Sequence, residues 1–134
     1  MKEFFWKVAQ RPGEPLFFGR RGRTLVFGLP GNTVSSMICF KEYVRPALLK
    51  MQGASRFLPD ELNAYLEEPV NVRPGHRYFL RGIARLEDGK HFVKTTGEQG
   101  SGILKSMADA NCLIIIPETV RALGAGQIVR IQLM

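Results

Sequence analysis

Apolar residues fall along this chain in short blocks of different period. Phe4-Phe5-Trp6-Lys7-Val8-Ala9-Gln10 is aromatic and β-branched, which predicts a strand. Arg11-Pro12-Gly13-Glu14-Pro15 predicts a turn, because proline fixes φ and glycine permits positive φ. Residues 16–19 and 24–27 predict two further short strands, with Arg20-Arg21-Gly22-Arg23 as the hairpin tip between them. Leu25-Val26-Phe27 is continuously apolar, the pattern of a strand covered on both faces.

A different period begins after Gly28-Leu29-Pro30-Gly31-Asn32. Asn32 suits a helix N-cap, with Ser35 and Ser36 in the first turn. Val34, Met37, Ile38, Val44, Leu48 and Leu49 follow at mostly helical spacing. Pro46 falls inside that pattern and predicts a kink or a division. Gly53 predicts the helix end.

Residues 54–62 read as a linker with the polar turn Pro59-Asp60-Glu61. Beyond it the pattern is short strands and glycine turns. Residues 64–72 predict a strand interrupted at Pro69, and residues 78–86 alternate. Tyr78, Leu80, Ala84 and Leu86 face one way, and Phe79, Arg81, Ile83 and Arg85 the other. Asp88-Gly89 predicts a hairpin into residues 91–96. A glycine-rich loop over 97–102 and a short helix within 101–111 come next. A buried strand over 113–116 ends at Pro117, and the last strand covers 128–133. The whole reads as a partial α/β unit followed by a small β-barrel or sandwich. Three strands and one helix cannot complete a doubly wound sheet, so the first part reads as half of a larger unit.

Composition changes this picture in two ways. The 134 residues are 45% hydrophobic and 23% charged, which excludes wholesale disorder and allows one ordinary domain or two small ones. No stretch of 18 uncharged apolar residues predicts a membrane span, and residues 1–7 lack the pattern of a signal peptide. The formal charge is +7. Residues 1–54 hold nine Lys/Arg against three Asp/Glu, and residues 55–134 hold ten against nine. The basic excess therefore lies in the first part, where a small phosphorylated ligand explains it better than nucleic acid. Cys39 and Cys112 belong to no CxxC or Cys/His cluster and predict reduced, buried thiols of a cytoplasmic protein.

Candidate chemistry concentrates at three places. The strand–Gly28-Leu29-Pro30-Gly31-Asn32–helix junction offers backbone N–H groups and partial positive charge to an anion, or is simply a rigid capped turn. No Gly-Lys-Ser/Thr follows, so it is not a Walker loop. Arg11 beside Pro12 and Gly13 offers a planar donor pair to phosphate or carboxylate, or is a surface arginine on a turn. Arg81, flanked by Phe79 and Ile83, either pairs with a carboxylate such as Glu98 or meets an anionic ligand. Gln99-Gly100-Ser101-Gly102 carries further donors for an oxyanion. His76 and His91 sit beside turns and read as solvated. No metal-ligand constellation is visible in the sequence.

In order, the chain carries Phe5-Trp6-Lys7-Val8-Ala9-Gln10-Arg11-Pro12-Gly13-Glu14-Pro15-Leu16, Phe27-Gly28-Leu29-Pro30-Gly31-Asn32-Thr33-Val34-Ser35 and Val44-Arg45-Pro46-Ala47-Leu48-Leu49. Gln99-Gly100-Ser101-Gly102, Ala110-Asn111 and Ile116-Pro117 follow. Over essentially its whole length the chain resembles the C-terminal third of the molybdopterin molybdenumtransferases, the molybdenum insertases of the MoeA and gephyrin E-domain type.

The resemblance implies an α/β plus β fold. Residues 1–54 would be the C-terminal half of a molybdopterin-binding α/β domain, and residues 55–134 a small, mostly-β barrel domain. It implies adenylylated molybdopterin and molybdate as substrates, Mg2+ as cofactor, release of AMP, and an active site formed between two subunits of a homodimer. Ligand-binding residues would be Arg11, Pro12, Gly13, Pro30, Gly31, Asn32 and Ser35, with Arg81 and Ser101 from the barrel. Two positions depart from the family pattern: Thr33 replaces a proline, and Glu14 stands where basic residues are common. The family's acidic catalytic and metal-binding residues lie in an upstream part that these 134 residues do not contain. That leaves two functions open, insertion by a parent protein or a non-catalytic anion- and pterin-binding or dimer-supporting module.

Overall fold

The computed structural model describes residues 1–97, 99 and 104–134. Its first sheet has the order β1-β3-β4, from β1 (Lys2–Trp6), β3 (Phe17–Arg21) and β4 (Thr24–Gly28), all antiparallel. The Arg20-Arg21-Gly22-Arg23 tip joins β3 to β4 as expected, with Gly22 at φ +60°. Phe18 anchors the sheet, its ring centroid 4.7 Å from Phe27, 5.1 Å from Phe4 and 5.6 Å from Phe5.

Two expectations fail here. Residues 4–10 are not one strand. Lys7 adopts a left-handed φ of +72°, and its N–H donates to the Leu16 carbonyl at 2.9 Å. The chain bends there, and β2 (Gln10–Arg11) leaves the first sheet to pair in parallel with Arg77 and Tyr78 of the barrel. Nor is Leu25-Val26-Phe27 covered on both faces. All three are half-buried on the outer strand of the three. Phe27 stacks on Phe18, while Val26 points to the opposite face of the sheet from Leu25 and Phe27.

Helix α1 (Thr33–Cys39) begins where expected, and the Asn32 side chain accepts from the Ser35 N–H at 3.3 Å. Thr33 occupies the first helical position without displacing the cap. A π-helical turn, Phe40–Val44, follows, then α2 (Arg45–Met51), so Pro46 does divide the pattern. Proline lacks an N–H, and its ring presses on the carbonyl four residues back, here that of Glu42. The wider turn relieves that conflict, and the Arg45 N–H donates to the Phe40 carbonyl.

The second part closes on itself. β7 (Arg77–Glu87), β8 (Lys90–Thr95), β5 (Leu62–Leu66), β11 (Ile128–Leu133) and β9 (Cys112–Ile116) hydrogen-bond in that order, and β9 returns to β7. The result is a five-stranded barrel, with only β5–β8 parallel. A two-stranded ribbon, β6 (Val70–Asn71) with β10 (Ala122–Leu123), and the short α3 (Leu104–Asp109) flank it. β9 explains its own sequence. Cys112, Ile114 and Ile116 fill the barrel with Leu66, Leu80, Val93 and Ile131. Leu113 and Ile115 face outward onto Val34 and Ile38 of α1. All five residues of β9 are buried, as a strand packed on both faces requires. Each such aliphatic side chain contributes about 1.5–3 kcal/mol.

The alternation expected of residues 78–86 holds as far as Ala84, with Tyr78, Leu80 and Ala84 on the barrel core and Phe79 on the cluster around α1. Arg81 is fully buried, while Arg85 and Leu86 are exposed. The strand outruns its neighbours, and two side-chain amides finish its ladder. Asn111 accepts from the Ala84 N–H at 2.7 Å and donates to the Ala84 carbonyl at 2.9 Å. Gln99 does the same on the other edge, accepting from the Arg81 N–H at 2.7 Å and donating to its carbonyl at 3.1 Å.

Candidate functional site: a cleft where the helix start meets the barrel

The turn after β2, the start of α1 and one end of the barrel enclose a cleft of about 800 Å3. Arg11, Pro12 and Gly13 line it from the turn. Pro30, Gly31, Asn32 and Ser35 line it from the helix start, and Arg81 lines it from β7. Residues far apart in sequence, singled out separately for anion chemistry, thus share one cavity. Ser101 lies outside the described residues, as do Glu98, Gly100 and Gly102.

Each wall has a local cause. The Arg11–Pro12 peptide is cis, and Gly13 has φ +106°. A Cβ on Gly13 would come within 2.5 Å of the Gln10 amide nitrogen and 2.7 Å of the Cys39 sulfur, so only glycine fits. Arg11 is exposed at the cleft. On the helix side the Asn32 cap satisfies Ser35 N–H. The amides of Thr33 and Val34 have no acceptor within the helix, the normal state of a helix start and one that favours anions. Pro30 and Ser35 are buried, and Gly31 is exposed with open space where a Cβ would stand.

Arg81 does something other than wait for a ligand. It is fully buried, and burial lowers the guanidinium from its ordinary pKa. Its side chain donates to the Phe79 carbonyl at 2.9 Å, to Ser106 Oγ at 3.2 Å and to the Gln99 carbonyl. No carboxylate pairs with it among the described residues. Its guanidinium therefore ties β7, Ser106 of α3 and Gln99 together at the cleft margin. Glu14 also lines the cleft and sits 3.3 Å from His76 Nε2, so His76 is half-buried and partnered rather than solvated.

Sequence reasoning passed over two kinds of residue. Asn71, Val72 and Tyr78 line the cleft from the barrel, and nothing in their spacing marks them. Gln10 is 2% exposed and holds the turn from behind. Its signal is a polar residue closing an apolar block immediately before Arg-Pro-Gly. Both cysteines are free and buried, and burial is the main cause that pushes each thiol up to about 11. Among the described residues no group of three or more His, Cys, Asp or Glu is placed to hold a metal, and no helix is long and apolar enough to cross a membrane.

A closed barrel docked on a helix start, with a cleft between them, defines an α/β-plus-barrel architecture. Comparison with known proteins gives it a family. Residues 63–134 match the MoeA C-terminal region (domain IV), and residues 1–50 match a model described as a probable molybdopterin binding domain. The first match spans more than half of the chain, which therefore belongs to the MoeA C-terminal (domain IV) family. Curated relatives agree. The molybdopterin molybdenumtransferase of Haemophilus influenzae is 32% identical over 130 residues, 96% of this chain and 32% of that protein. Molybdopterin molybdenumtransferase 2 of Mycobacterium tuberculosis is 35% identical over 122 residues, 91% of this chain and 30% of its own length. The crystal structure of the molybdopterin biosynthesis moeA protein from Pyrococcus horikoshii superposes with a TM-score of 0.80 at 30% identity, over 98% of this chain and 32% of that one. A molybdenum cofactor biosynthesis protein from Pyrococcus furiosus gives 0.79 at 30% identity. The chain thus spans about a third of the length of the curated relatives it matches.

Proposed function

We propose that the cleft binds a phosphate-bearing pterin, the molybdopterin nucleotide, in molybdenum cofactor biosynthesis. The observation that carries this reading is the convergence of residues 11–13, residues 30–32 with Ser35, and Arg81 on one cavity. Arg11 would donate two parallel hydrogen bonds to a phosphate at the mouth. The helix start would receive a second anionic group, such as molybdate or the pterin phosphate. Arg81 would hold the loop margin in place and add positive potential from behind it. The names of the relatives support the same chemistry.

The reaction proposed for the parent protein is insertion of molybdate into adenylylated molybdopterin with release of AMP, in a cytoplasmic homodimer. This chain would supply one binding wall. Mg2+ does not fit its described residues. Mg2+ is usually held by one or two carboxylates, with water and substrate phosphates completing its shell, and the one carboxylate among the described cleft residues, Glu14, is already engaged beside His76. The chain's own chemistry is therefore binding and orientation, and a purely non-catalytic binding module is the second reading. The uneven charge favours a compact anion over nucleic acid.

Titration calorimetry with adenylylated molybdopterin, molybdopterin, AMP and duplex DNA tests this. Saturable 1:1 binding of the pterins that weakens about 10- to 100-fold in Arg11→Ala is expected. Binding of DNA alone, falling steeply with salt, would overturn the reading.

A further inference from the structure

Three consecutive side chains of the π-helical turn all reach the barrel side of the molecule. Lys41 Nζ donates to Gln132 Oε1 at 2.7 Å, Glu42 Oε1 accepts from Gln132 Nε2 at 2.8 Å, and the Tyr43 hydroxyl donates to Gln10 Oε1 at 2.6 Å. In a regular α-helix each residue turns about 100°, so positions 41 and 43 would stand about 200° apart around the axis and point away from each other. The third contact leads to the cleft. Gln10 is 2% exposed, and its amide nitrogen donates to the Pro12 carbonyl at 3.1 Å and lies 3.7 Å from Cys39 Sγ. The Cys39 thiol in turn donates to the Gly13 carbonyl at 3.5 Å. Two carbonyls of the cleft turn are thus held from behind by side chains anchored on the helix that carries Asn32 and Ser35.

We infer that Gln10, oriented by the Tyr43 hydroxyl, is a positioning residue that sets the distance between the Arg11-bearing turn and the helix start. The inference rests on the reading of the cleft as a ligand site. An amide can play this part because it accepts and donates at once. Its oxygen takes the Tyr43 proton, which fixes which end of the amide faces Pro12. Burial of Tyr43 raises the hydroxyl above its ordinary pKa, so the donor stays protonated at neutral pH. Without the bracket, the turn keeps its fold through the parallel pairing of β2 with β7, yet is free to shift against Asn32. Reacting or binding groups misplaced by a fraction of a bond length lose much of their cooperation.

Tyr43→Phe and Gln10→Met remove the two halves of the bracket while keeping side-chain bulk. The first test is affinity for molybdopterin, measured well below each variant's melting temperature. Each single variant is expected to bind about tenfold more weakly, as loss of one buried hydrogen bond implies. The double variant should lose no more than either single one, because the groups act as a unit. A residue with only a structural role would lower the melting temperature and leave the affinity of the folded protein unchanged. Met37→Ala, on the exposed side of α1, serves as control and should bind as wild type. The second test is amide hydrogen exchange. The amides of Val8 and Leu16, both bonded to the Glu14 carbonyl, should exchange faster in Tyr43→Phe, with residues 36–39 unchanged. Wild-type affinity in Tyr43→Phe would overturn the inference, as would unchanged exchange at the turn. Failure of the wild-type chain to bind any pterin would instead overturn the ligand reading, with exchange still deciding the positioning.

Discussion

Three hydrogen bonds join Arg81 and Gln99, one of them from the Gln99 amide to the Arg81 carbonyl at 3.1 Å. The Arg81 backbone N–H donates to Gln99 Oε1 at 2.7 Å, and the Arg81 guanidinium donates to the Gln99 carbonyl. A side-chain amide completes the strand edge while a buried cation secures the loop that carries that amide. Arg81→Met would remove the cation and leave the Phe79 and Gln99 carbonyls without their donor. A loss of about 2–4 kcal/mol is expected. Urea unfolding would measure it, and limited proteolysis should find new cleavage just after Gly97. Arg81→Lys should recover only part, since an ammonium cannot span the same three acceptors.

Arg11 makes the opposite prediction. It is exposed and its side chain holds nothing in place, so Arg11→Ala should leave the melting temperature within about 1 °C. Molybdopterin affinity should fall about 10- to 100-fold, the scale of a lost charge-assisted pair. Equal effects on stability and affinity would remove Arg11 from the ligand's contacts.

Gly82 lies where β7 changes neighbours. A Cβ there would meet Ile114 side-chain carbons at 2.9 Å and the Lys94 carbonyl at 3.1 Å. Gly82→Val should destabilise by about 1–3 kcal/mol through overpacking. Pairing it with Ile114→Ala should return part of that loss in a double-mutant cycle.

Glu42 gives a pH dependence. Burial raises its carboxyl above the ordinary range, against the Gln132 hydrogen bond and Lys41, which lower it. Glu61 adds to the rise, and Arg77 opposes it. One carboxylate oxygen is buried without a hydrogen-bond donor, 3.7 Å from Lys41 Nζ. The folded state therefore binds this proton more tightly than the unfolded one. The contribution of Glu42 to stability is greatest below the unfolded carboxyl pKa and falls as pH rises through the raised folded pKa. Glu42→Gln should flatten this part of the stability–pH profile, keeping an acceptor for Gln132. A wild-type slope persisting in the variant would assign it to another group.

The thiols should be silent in the native state. With both pushed up to about 11 and buried, neither Cys39 nor Cys112 is expected to react with a disulfide reagent within minutes at pH 8. Both should react at once in denaturant. Fast native reaction of Cys39 would mean that the cleft turn opens.

Much of this molecule was readable because certain residues obey one local rule. Asn32 caps a helix, Asp88-Gly89 turns a hairpin, and the apolar run in β9 is buried from both sides. The cleft was legible in pieces, since Arg11, Pro30, Asn32 and Arg81 each carry a recognisable polar or backbone signature. What could not be read depends on distant partners. The departure of Gln10 and Arg11 from the first sheet follows from β7, some 65 residues on. The π-helical turn shows in the sequence as Pro46 alone, which foretells a disturbance but not that Lys41, Glu42 and Tyr43 would all turn to the barrel. The hydrogen bonds of Arg81 arise from the folding back of Gln99 and Ser106, which no periodicity records.

The two-faced burial of β9 has a further consequence. Its even-numbered residues set the barrel's interior and its odd-numbered ones seat the helix that begins at the cleft. A slip of one residue would exchange the two sets together, since side chains alternate strictly along a strand. Inserting or deleting a residue between Cys112 and Ile116 would therefore be felt at once in both layers. This strand is a common reference frame: whatever fixes its register in the barrel also fixes where the helix start at the cleft stands.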